Sequence, residues 1–185
     1  LGEGYPNMIS SMIRVQYPEH KILCINKGTS GNQTRHILSR LQEDVLDNHP
    51  DVVTLCIGIN DVWRFYDRPL TKKCEPGVPI DEYRINLESI IQQITENGAK
   101  MILLTPYMID TNPAEPMRTT MLQYAEVCKE LAQKYHLELL ELQPLFEGLM
   151  AKGISSYELS ADRIHPSHKG HTAIALELMK KFNIV

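Results

Sequence analysis

Four short apolar runs, at 21–26 (KILCIN), 52–57 (VVTLCI), 101–104 (MILL) and 137–142 (LELLEL), alternate with segments whose apolar residues recur at helical spacing. Strands separated by helix-length segments pair in parallel and need helices to cover the sheet they form. Met8, Ile9, Met12 and Ile13 trace one helix face between Asn7 and Gln16, and Ile37, Leu38, Leu41, Val45 and Leu46 trace a second. Tyr83, Leu87, Ile90, Ile91 and Ile94 trace a third, with Asp81 as its cap and Asn97-Gly98 as its stop. Met117, Met121, Ala125, Cys128, Ala132 and Tyr135 trace a fourth, and a short helix after Pro144 and a terminal helix from Pro166 complete the pattern. Residues 58–80 read as irregular, with Pro69, Pro76, Gly77 and Pro79 against a regular element. The 52–57 run, apolar almost throughout, reads as a central strand covered on both faces. The expectation is an α/β class, a parallel sheet between two helical layers, in a single domain over residues 1–185.

The chain of 185 residues, 43% hydrophobic and 23% charged, is long enough to bury one full core. A formal net charge of -4 without long runs of either sign argues against nucleic acid or an anionic membrane as partner and suits a small neutral substrate. Cys24, Cys56, Cys74 and Cys128 form no CxxC pair and read as buried thiols, which with no membrane-length apolar stretch makes a reducing cytoplasm the default expectation.

In such sheets ligands bind beyond the carboxyl ends of the strands, and the polar candidates fall there: 28–32, 58–61, 105–107 and the loop carrying Asp162 and His165. A carboxylate three positions before a histidine can fix the imidazole tautomer, leaving the other ring nitrogen to act as a general base. Taken alone, Asp162 could equally cap the last helix and His165 stand on the surface. Gly58 can turn the backbone sharply so that Asn60 aims an amide donor at a developing oxyanion, although Asn60-Asp61 also reads as an ordinary turn pair. Gly28 to Asn32 offers backbone donors at a strand-to-helix turn without a full phosphate-binding pattern. His165, His168 and His171, three apart, pose a metal reading, but they would fan over a wide arc of a helix. Trp63 and Tyr107, with Arg64 and Tyr66 near them, could wall a small acyl pocket or support a sugar ring, or simply pack on the sheet edge.

The segments NKGTSGNQT at 26–34, IGINDVW at 57–63 and DRIHPSHKGH at 162–171 resemble, in order and spacing, the second, third and fifth sequence blocks of the SGNH subgroup of GDSL esterases and lipases. LGEGYP at 1–6, GINDVWRFYD at 58–67 and EPMRTTM at 115–121 are most similar to the carbohydrate acetyl esterases, including acetylxylan esterase-like members. The resemblance implies a flavodoxin-like α/β/α fold, Gly31 and Asn60 as oxyanion donors, Asp162 and His165 as triad members, short acyl groups, and no cofactor.

The first block of that family, a strand followed by Gly-Asp-Ser with the nucleophile, is not among these residues, and the resemblance implies that it precedes Leu1. Neither Ser10, within a helix, nor Ser30, within the oxyanion turn, is a suitable substitute. The family's strand order, 2-1-3-4-5, would place the upstream strand between 21–26 and 52–57, which would otherwise expose unpaired backbone inside a sheet. The expected function is deacylation of a small ester, an acetylated carbohydrate, with self-association open. The rivals are an inactive carbohydrate-binding relative and a zinc hydrolase built on His165, His168 and His171.

Overall fold

A computed structural model of the chain describes residues 2–66 and 75–182. It divides into two compact units, one formed by Thr29–Gln143 and the other by the residues up to Gly28 together with those from Pro144 onward.

The 29–143 unit carries a parallel sheet of β1 (Val52–Cys56), β2 (Lys100–Leu104) and β3 (Glu138–Leu140) in the order β1-β2-β3. Val52 pairs with Lys100 and Cys56 with Leu104, while Ile102 pairs with Glu138 and Leu104 with Leu140. The helices α2 (Thr34–Asp44), α3 (Ile59–Tyr66), α4 (Ile80–Glu96) and α5 (Pro116–Lys134) belong to the same unit. Both α4 and α5 pack on β2 and on each other. The face of α4 read from the sequence, Tyr83 to Ile94, is fully buried, and so is the α5 face from Met117 to Ala132. Burial of this continuous apolar surface, at about 25 cal/mol per Å², is what holds sheet and helices together.

In the other unit α1 (Tyr5–Gln16) packs on α8 (His168–Lys181), and the short α7 (Ser156–Leu159) packs on α8 as well. The helix α6 spans Leu142–Ala151.

Several expectations are corrected. Residues 21–26 are not a strand: no ladder partner stands beside them among the described residues, and Leu23 is 81% exposed. A strand exists only through its neighbour's hydrogen bonds, so an apolar run without one stays irregular. Among the described residues β1 stands at one end of the sheet and is half-exposed where β2 is buried, without the upstream strand expected beside it. The stretch from 58 is not irregular throughout, because Ile59 opens α3, whose alternation of apolar and polar residues was masked by the prolines that follow. Pro69 and Cys74 lie outside the described residues. The cap of α4 is Pro79, with Asp81 and Glu82 in its first turn, where carboxylates suit the helix N-terminus. Strand β3 stops at Leu140, α6 begins two residues before Pro144, and Ser167 rather than Pro166 caps α8. Cys24 and Cys56 are half-buried and Cys128 is buried, all three unbridged. Burial pushes Cys128 up to about 12, which makes it inert.

Candidate active site

The loop joining α7 to α8 organises itself around one carboxylate. Asp162 Oδ1 accepts from the backbone N–H groups of Ile164 (3.0 Å) and His165 (2.8 Å) and from Ser160 Oγ (3.1 Å). This tight turn requires Arg163 at φ +71°, a left-handed conformation disfavoured for a residue with a side chain. The turn returns the His165 ring over Asp162, with Nδ1 2.7 Å from Oδ2. A proton on Nδ1 donated to the carboxylate leaves the lone pair of the neutral ring on Nε2. Partial burial alone would raise the Asp162 pKa, but the His165 ring and the two backbone donors outweigh it and hold it well below the usual carboxylate range. The pair is open to solvent, with 62% of the His165 side chain exposed.

The far end of this loop is anchored to α7 and α8. The Ser167 N–H donates to Leu159 O at 2.7 Å and its hydroxyl to Glu158 O at 2.5 Å, while Gly170 N–H donates to the same hydroxyl. A Cβ at Gly170 would stand 2.8 Å from Leu159 O, so only glycine lets the first turn of α8 approach this closely.

In the 29–143 unit, Gly31 turns the chain at φ +83° and α2 begins three residues later. Asn60, in the first turn of α3, donates from Nδ2 to Asn32 O at 3.2 Å, so a side-chain amide and the Gly31 turn are brought together. Asp61, read from the sequence as a turn residue, and Gln33, Thr34 and His36, not singled out there, hold them. Asp61 is fully buried, and its Oδ1 accepts from Thr34 Oγ1 at 2.6 Å and from Thr34 N–H at 3.0 Å. Burial raises the Asp61 pKa and the two Thr34 donors oppose the shift. Buried Gln33 donates from Nε2 to Asn60 O (3.3 Å) and Pro76 O (2.8 Å). His36 Nδ1 accepts the Gln33 N–H at 2.9 Å, and its Nε2 faces Glu75 at 3.2 Å. Asn60-Asp61 is therefore part of a helix start rather than a turn. The signal for Gln33 and Thr34 was absent because their partners lie 27 to 43 positions away.

Gly31, Gln33, His36, Arg64 and Glu75 line a cleft of about 170 Å³. Trp63, Arg64 and Tyr66 stand on α3 rather than on a loop. The ring of Trp63 is half-buried, Tyr107 is 3% exposed, and Tyr66 bonds the start of α5 through Pro116 O and Thr120 Oγ1.

His168 opens α8, whereas His171 is half-buried against Gly4 and the Tyr5 ring. Burial lowers the His171 pKa, with the charge of His168 adding to the shift. Among the described residues no group of three or more His, Cys, Asp and Glu side chains could hold a metal ion, and no helix is long and apolar enough to cross a membrane.

Residues 1–173 match the model of the GDSL-like lipase/acylhydrolase family. The chain is 38% identical over 181 residues to an acetylxylan esterase of Geobacillus stearothermophilus, covering 98% of this chain and 81% of that one. A crystal structure of a catalytic mutant of Axe2, an acetylxylan esterase from the same organism, superposes with a TM-score of 0.90 at 36% identity, covering 98% of this chain and 82% of the other. LAE5, an α/β hydrolase enzyme from the metagenome of Lake Arreo in Spain, gives 0.91 at 33% identity over 99% of this chain and 83% of its own. In the solved catalytic mutants of Axe2 a serine, a histidine or an aspartate is replaced by alanine, the aspartate standing three positions before the histidine. Parallel sheet, flanking helices and these relatives define a carboxylic ester hydrolase with the SGNH hydrolase fold. The chain belongs to the GDSL-like lipase/acylhydrolase family.

Proposed function

We propose that the chain removes acetyl groups from an esterified carbohydrate through a Ser/His/Asp triad whose serine lies N-terminal to Leu1. The observation that carries this reading is the 2.7 Å bond between Asp162 and His165. It is supported by the same three-position spacing of aspartate and histidine in the Axe2 mutants, and by a serine there 176 positions before that aspartate, farther than the 161 residues that precede Asp162.

In this reading His165 Nε2 takes the serine proton as the serine oxygen bonds the ester carbonyl carbon, and the carbonyl electron pair moves onto oxygen. The Gly31 N–H and the Asn60 amide donate to that oxyanion. Collapse breaks the bond to the alcohol oxygen, which leaves with the proton from His165. Water, deprotonated by the same ring, then releases acetate and restores the serine. Asp162 keeps the imidazole in one tautomer throughout and stabilises its cation. Trp63, half-buried on α3, forms the wall that limits the acyl group, whereas Tyr107 is buried and packs in the core.

The test is hydrolysis of an aryl acetate and of acetylated xylo-oligosaccharides by the full-length protein. The expected result is turnover of both, lost in His165→Ala; turnover by that variant at the native rate overturns the reading.

A further inference from the structure

Many cations of the chain are matched to a carboxylate: Arg35 to Glu82, Arg40 to Asp44, Arg84 to Glu130, Lys129 to Glu141 and Lys134 to Glu88. Arg64 is different. Among the described residues its guanidinium makes no hydrogen bond or ion pair and is held only over the Trp63 ring, 5.1 Å from the centroid. A cation stacked on an aromatic face keeps its charge and its planar fork of donors while losing side-chain freedom, so less entropy is lost when it binds an anion.

Its position is informative. Arg64 follows Asn60 by four residues and so shares its face of α3. Its terminal nitrogen lies 3.8 Å from where a Cβ on Gly31 would stand, at the edge of the cleft that Gly31 lines. The acid of that cleft, Glu75, faces His36 Nε2 at 3.2 Å, and His36 Nδ1 is occupied by the Gln33 N–H, which leaves the ring proton on the side of Glu75. Glu75 is thereby engaged, and Arg64 is the group of this cleft that can receive an anion. The chain as a whole is acidic, with a formal charge of -4, so an acidic substrate gains nothing from the overall field and needs a local cation.

We propose that Arg64 forms a carboxylate subsite beside the Gly31 turn, and that the preferred ester carries an acidic sugar, a uronate, near its acetyl group. The guanidinium matches a carboxylate with two parallel N–H donors, a fit that a lysine cannot reproduce. This proposal rests on the esterase reading above.

The experiment compares kcat/KM of the full-length protein for acetylated xylo-oligosaccharides with and without a uronic-acid substituent, and measures binding of the deacetylated acidic oligosaccharide by calorimetry. The native protein should favour the acidic ester by about tenfold, Arg64→Gln should bring the ratio close to one, and Arg64→Lys should lie between. The preference should shrink as salt is raised. No acidic preference in the native protein, or an equal loss on both esters in Arg64→Gln, overturns the proposal; the second outcome would assign Arg64 to chemistry common to all esters. Failure of the esterase reading has a separate signature, binding of the acidic oligosaccharide that depends on Arg64 without hydrolysis of either ester. Absence of both hydrolysis and binding overturns both.

Discussion

The loop around Asp162 and the turn around Gly31 reach their geometry by opposite routes. Asp162 gathers donors from residues two and three positions away, and the resulting pair stands in solvent. Gly31 and Asn60 are held by Gln33, Thr34 and Asp61, whose bonds reach across 27 to 43 positions, and Asp61 is fully buried. Damage to the first should therefore cost chemistry and little stability, since exposed groups contribute little to folding. Damage to the second should cost both.

The sharpest way to break this contrast is His165→Ala in the full-length protein. Loss of a general base should lower kcat by about 10³-fold or more, while melting shifts by less than about 2 °C because the side chain is exposed. A large loss of stability in this variant would abolish the contrast. Next, Asn60→Ala should lower kcat by about 10² to 10³-fold with KM little changed, as expected for a donor that acts on the transition state. An equal rise in KM would mean ground-state binding instead.

A smaller effect sharpens the other side. Thr34→Val removes the hydroxyl that donates to Asp61 and leaves a buried carboxylate short of a partner, so unfolding should become easier by about 1 to 3 kcal/mol. Urea denaturation reads this directly, and kcat should fall several-fold through the shifted turn. A neutral outcome would show that the network does not position the turn.

The smallest expected effect concerns pH. The folded-state pKa of Asp162 is depressed, so its contribution to stability is present above its unfolded pKa, about 3.9, and is lost as pH falls through that value toward the folded one. Because the group is half-exposed, Asp162→Asn should destabilise by no more than about 1 kcal/mol near neutral pH. The difference between the two proteins should begin to shrink below about pH 4 and close only as pH falls through the folded-state pKa. A difference that stays constant across that range would place the effect elsewhere.

Much of the architecture was legible because periodicity is local. The buried faces of α4 and α5 were readable from spacing alone, as were the runs that became β1 and β2. The failures share one cause. KILCIN is apolar enough for a strand, yet the upstream strand expected to pair with it is not among these residues, and Leu23 stands exposed. The start of α3 was hidden because helix formation at Ile59 is supported by contacts of Asn60 and Asp61 with the beginning of α2. Asp162 with His165, and Asn60 with Gly31, were visible as short motifs, whereas Gln33, Thr34 and the His36–Glu75 pair were not.

By itself the order of residues determined where helices have an apolar side and which loop folds a carboxylate back onto an imidazole, since both depend on neighbours within one turn of chain. Only the tertiary structure decided that Asp61 is buried and bonded to Thr34, and that Arg64 lies beside Gly31. Those outcomes depend on which distant segments meet, and hydrogen bonds across a fold leave no trace in local spacing.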